Sequence, residues 1–107
     1  AASDVYKRQY ERYQDILDEI LRTVIARGRG IELNTGGFHY GLGEPNPCRA
    51  VIRRYRELGG EIITVGADAH GPEKIAYDFD KAAAILADCG FKYYTVFQNR
   101  KPEFVKL

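Results

Sequence analysis

The residues best suited to chemistry lie in one short run, Thr64-Val65-Gly66-Ala67-Asp68-Ala69-His70-Gly71-Pro72. Asp68 and His70 are two apart, and on extended backbone such residues point to the same side. A carboxylate and an imidazole converging on one point suit a zinc, manganese or iron ion. The small neighbours Gly66, Ala67, Ala69 and Gly71 leave room for an ion and a substrate. The alternative is that Asp68 caps the next turn and His70 is an ordinary loop residue, since an isolated Asp-x-His is common. A second run, Asn34-Thr35-Gly36-Gly37-Phe38-His39-Tyr40, carries the other histidine. Backbone amides of a Gly-Gly turn can hold an anion, and His39 can donate to a phosphate or ligate a metal. The alternative there is a turn built for backbone geometry with His39 exposed. Glu32 and Asn34 share one strand face, where they either line a barrel lumen or pair with a helix cation.

Alternating helices and strands must position these runs. Tyr13, Ile16, Leu17, Ile20, Leu21, Val24 and Ile25 follow the three/four spacing of an amphipathic helix, stopped by Gly28 and Gly30. A strand over 31–35 is broken by Gly36-Gly37, and 38–47 reads as a loop. Asn46-Pro47 reads as N-cap and first helical residue, with Val51, Ile52, Tyr55 and Leu58 inward. A second strand over 61–66 has the near-continuous apolar run of a strand covered on both faces. Phe79, Ala82, Ala83 and Leu86 mark a third helix, closed by Gly90. A third strand follows over 91–97, and 98–107 reads as a polar tail. The order α-β-α-β-α-β implies an α/β fold with parallel strands. Both histidine-bearing runs then fall at C-terminal strand ends, where parallel α/β proteins gather their functional groups.

Composition excludes several classes. The 107 residues are 45% hydrophobic and 29% charged, which suits a folded domain and not a disordered chain. A net charge of +1 gives no reason to expect nucleic acid or an anionic membrane as partner. No apolar run approaches the roughly 18 residues of a membrane span. Two cysteines and no signal-peptide pattern point to a reducing, cytoplasmic setting. Cys48 and Cys89 lack metal-ligand spacing and read as small buried hydrophobes. No Walker A sequence, dinucleotide fingerprint or nucleophile elbow is present. Methionine is absent. Residues 1–9, Ala-Ala-Ser-Asp-Val-Tyr-Lys-Arg-Gln, are similar to an in-frame translation of a transposase sequencing adaptor. They are expected to be non-native, leaving 10–107 as a portion of one longer domain.

Several stretches together resemble one family. These are Ile31-Glu-Leu-Asn-Thr-Gly-Gly-Phe38, Gly43-Glu-Pro-Asn-Pro47, the segment Tyr55 to His70, Gly90-Phe-Lys-Tyr-Tyr-Thr-Val-Phe97 and Arg100-Lys-Pro102. In this order and spacing they resemble the C-terminal part of histidinol-phosphatases of the polymerase-and-histidinol-phosphatase (PHP) family. The resemblance implies about three βα units of a distorted, seven-stranded (β/α) barrel of TIM-like type. It implies up to three divalent metal ions, with Asp68 and His70 as the last ligands and the others in motifs absent from this chain. His39 is the nearest match to the basic residue that family members carry near the substrate phosphate. The implied activity is hydrolysis of L-histidinol phosphate to L-histidinol and phosphate, in histidine biosynthesis. Two ligands cannot assemble a multinuclear site, so this portion alone is expected to be inactive. The rivals are another PHP or amidohydrolase-like phosphoesterase, a non-catalytic PHP domain of a DNA polymerase, and a flavodoxin-like binding module.

Overall fold

Two short strands form the centre of the molecule. A computed structural model describes residues 2–36, 43–66 and 72–107. Strand β1 (Ile31–Asn34) pairs in parallel with β2 (Ile63–Gly66), in the register Ile31↔Ile63, Glu32↔Thr64, Leu33↔Val65 and Asn34↔Gly66. Three helices accompany them: α1 (Ala2–Ala26), α2 (Arg49–Glu57) and α3 (Pro72–Asp88). Strands β3 (Tyr93–Gln98) and β4 (Lys101–Lys106) complete the chain. The expected α/β class and the parallel pairing of the first two strands are therefore observed. No helix among the described residues is long and apolar enough to cross a membrane.

Side-chain alternation gives the parallel pair two unlike faces. Leu33 and Ile63 point into the core and are fully buried. Leu21 of α1, Ile52 and Tyr55 of α2, and Ala82, Ile85 and Leu86 of α3 join them there. Glu32, Asn34, Thr64 and Gly66 occupy the opposite face, and none of them is fully buried. The expectation that β2 is covered on both faces thus holds for one face only, because Thr64 and Gly66 interrupt its apolar pattern on the other. On α1 the apolar stripe is wider than the core it meets. Leu17, Val24 and Ile25 pack inward, whereas Tyr13, Ile16 and Ile20 remain exposed.

Two close approaches fix the α2–β2 connection. The Tyr55 hydroxyl donates to the Ile62 carbonyl at 2.7 Å. Its ring lies so near Gly60 that a Cβ there would fall 2.3 Å from a ring carbon. Burial pushes the Tyr55 hydroxyl up from its ordinary pKa, which keeps it a donor. Helix α2 is tied to α1 by Arg54, whose guanidinium donates to both Asp18 oxygens at 2.8 and 2.7 Å.

Three sequence expectations are corrected. The third strand is not a third parallel member. β3 pairs antiparallel with β4, from Tyr93↔Lys106 to Gln98↔Lys101, so the expected polar tail is a strand. Its turn, Asn99-Arg100, has positive φ at both residues (51° and 65°) without a glycine to signal it. β3 instead adjoins β2 through a side chain, the Ile63 amide donating to the buried Thr95 hydroxyl at 3.1 Å. Second, Asn46-Pro47 does not start the helix. Asn46 exchanges both backbone hydrogen bonds with Asn34, which holds it extended, and α2 begins at Arg49. The Glu44 carboxylate accepts from the Arg49 amide at 3.2 Å and does the capping. Third, Cys89 is buried as expected, but Cys48 precedes α2 and is exposed.

Candidate functional site

The C-terminal ends of β1 and β2 lie side by side, and three side chains organise that edge. Thr35 is fully buried there; its amide and hydroxyl both donate to the Gly66 carbonyl, at 3.0 and 3.3 Å. These bonds extend the contact between the strands one residue past β1. Asn34 works in two directions. Its Oδ1 accepts from the Gly36 amide at 2.7 Å, an Asx turn that bends the chain away from the strand. Its Nδ2 donates to Glu32 Oε1 at 3.2 Å.

Glu32 is exposed, and Asn34 is its hydrogen-bond partner among the described residues. Among the described residues it makes no ion pair with a helix cation. Its carboxylate lies across Gly66. A Cβ at Gly66 would fall 2.7 Å from both the carboxyl carbon and Oε1. Glycine at position 66 therefore leaves the space that the carboxylate fills. Sequence reading singled out Glu32 and Asn34 but missed this use of Gly66; the signal available was the Glu-x-Asn alternation opposite a strand ending in glycine.

His39, Asp68 and His70 lie outside the described residues, so their expected roles stand on sequence. In sequence, residues 37–42, which include His39, follow β1, and residues 67–71, which include Asp68 and His70, follow β2. The described residues alone contain no group of three or more His, Cys, Asp or Glu able to hold a metal ion. The donor chemistry nevertheless fits a divalent cation. An exposed carboxylate lies over the last residue of β2, two residues before Asp68 in sequence. Carboxylate and imidazole are the donors that zinc and manganese accept.

No protein-family profile matches the sequence. Among curated proteins, the chain is 30% identical over 101 residues to a "Probable histidinol-phosphatase" of Thermotoga maritima, spanning 94% of this chain and 42% of that protein. It is 33% identical over 86 residues to a "Probable histidinol-phosphatase" of Clostridium acetobutylicum, covering 78% of this chain and 32% of that protein. Among solved structures, it resembles the histidinol phosphate phosphatase of Lactococcus lactis, which was crystallised with zinc, L-histidinol and phosphate. The TM-score is 0.67 at 23% identity, over 88% of this chain and 35% of that one. The chain thus spans less than half the length of the proteins it matches. In sequence and in fold the chain is similar to the part of these proteins that it spans.

Proposed function

We propose that the chain is the C-terminal portion of a longer, metal-dependent phosphatase that hydrolyses L-histidinol phosphate to L-histidinol and phosphate. The observation that carries this reading is the likeness to histidinol-phosphatases over 94% of the chain. The Asp-x-His run two residues beyond a strand end supports it. In this reading residues 10–107 belong to one barrel domain, residues 1–9 are not native, and the enzyme is cytoplasmic. The partner is a small phosphomonoester, with no nucleic acid or membrane involved.

Asp68 and His70 would hold a divalent ion, zinc, manganese or iron, and the longer protein up to three. A bound ion supplies a Lewis acid for phosphoryl transfer. The chain's own residues do the positioning. Thr35 and the Gly66 carbonyl pin the two strand ends together. The Asn34–Gly36 turn closes β1, three residues before His39 in sequence. His39 is assigned to the substrate phosphate, as a donor from its ring nitrogen.

Metal binding by the full-length protein tests the assignment. Asp68→Asn and His70→Ala are each expected to lower zinc affinity about 10-fold or more, measured by competition with a chromogenic chelator. Unchanged affinity in both variants would remove these residues from the site. Residues 10–107 alone are expected to release no phosphate from L-histidinol phosphate in zinc or manganese. Turnover by that portion would show that it holds a complete site.

A further inference from the structure

The open face of the parallel pair carries one acidic side chain in cationic surroundings. A groove of about 600 Å³ runs along this face, and Arg27, Arg29, Thr64, Phe97 and Arg100 line it with Glu32. Among the described residues Glu32 is the one acidic member of that lining, yet it makes no ion pair with any of the three arginines. Its carboxylate is instead turned to the strand end. Asn34 holds Oε1 from one side, and the missing side chain of Gly66 opens the space on the other. No described residue occupies the second oxygen. A structural carboxylate in this setting would be expected to pair with a neighbouring guanidinium. One held over the C-terminal end of β2, with an oxygen left without a described partner, is placed to meet a ligand cation.

Among the described residues no further His, Cys, Asp or Glu joins Glu32 in a cluster, so this edge offers a ligand cation a single carboxylate. A primary ammonium needs no second one. It is satisfied by one carboxylate and neighbouring neutral acceptors, and the Thr64 side chain lies beside Glu32 in register on the same face. We propose that Glu32 is the anionic contact for the primary ammonium group of the substrate and selects amino-bearing phosphomonoesters over plain ones. The inference rests on the phosphatase reading and adds a specificity residue to it.

The test compares L-histidinol phosphate with phenyl phosphate, which has no amine, on the full-length protein. Glu32→Gln keeps an acceptor for Asn34 and removes the charge. It is expected to lower the ratio of kcat/KM values, amino substrate over plain, about tenfold, chiefly through KM for the amino substrate. Gly66→Ala keeps the charge and displaces the carboxylate, and should lower the same ratio by a smaller factor. An unchanged ratio in Glu32→Gln overturns the proposal while leaving the phosphatase reading standing. If the wild type hydrolyses neither ester, the phosphatase reading fails, and calorimetric titration with L-histidinol then tests the carboxylate separately. Weaker L-histidinol binding by Glu32→Gln supports the ammonium contact. Equal binding by both proteins, or none by the wild type, overturns it.

Discussion

Leu33 and Ile63 on the parallel pair are fully buried, whereas Phe97 and Phe104 on the β3–β4 hairpin are 52% and 48% exposed. Both regions are two-stranded, and both carry apolar side chains. What differs is the packing behind them. Three helices close over one face of β1–β2, whereas the hairpin meets that core through Tyr94 and Thr95 and otherwise rests on its own ladder. The supported region is also the one with a polar open face, formed by Glu32, Asn34, Thr64 and Gly66. Helix packing on one side frees the other side of the same strands for chemistry. A site needs that support, because its groups must be held within a fraction of an ångström.

Substitutions can break this comparison. The largest effect is expected from Leu33→Ala, which removes a fully buried side chain from the junction of strands and helices. A loss of about 3 kcal/mol is expected, against under about 1 kcal/mol for Phe104→Ala on the hairpin. Urea unfolding of the chain measures both, and similar losses would erase the distinction. Next is Gly60→Ala, whose added methyl meets the Tyr55 ring and must displace it. About 1–3 kcal/mol is expected from such overpacking, and a neutral result would show that the α2–β2 connection is loose. Tyr55→Phe follows at about 1 kcal/mol, since the Ile62 carbonyl still accepts from the Ile31 amide.

The smallest effect concerns pH. The hydrogen bonds from the Arg54 guanidinium hold the Asp18 carboxyl below its ordinary pKa. A carboxyl depressed in the folded state adds stability that is present above the unfolded pKa, near 3.8, and fades as pH falls through the lower folded value. Asp18→Asn should therefore narrow the gap between melting temperatures at pH 6 and pH 3. A variant with the same acid dependence as the wild type would show that the pair contributes nothing to linkage.

The elements that bury a periodic apolar face were legible in the sequence. The Val51/Ile52/Tyr55 spacing of α2 and the Ala82/Leu86 spacing of α3 mark helices because their packing follows the helical period. The hairpin was not. Lys101-Pro102-Glu103 reads as a solvated tail, and Asn99-Arg100 lacks the glycine that announces a tight turn. Counting β3 as a parallel strand followed from the alternation of elements. The partner it takes is decided by that unannounced turn. Asn46 misled for a related reason. An Asn before Pro looks like a cap, but its backbone is engaged by Asn34, a contact between residues twelve apart in sequence. Among candidate site residues, Asp68-x-His70 stood out by residue type. The Glu32–Asn34–Gly66 arrangement depends on strand register, which sequence leaves open.

Phosphate release from L-histidinol phosphate by the full-length protein, before and after chelation, tests the central claim most directly. The account predicts release that falls to background on chelation, returns with zinc or manganese, and is lost in Asp68→Asn. Release that survives chelation, or persists undiminished in Asp68→Asn, would contradict it.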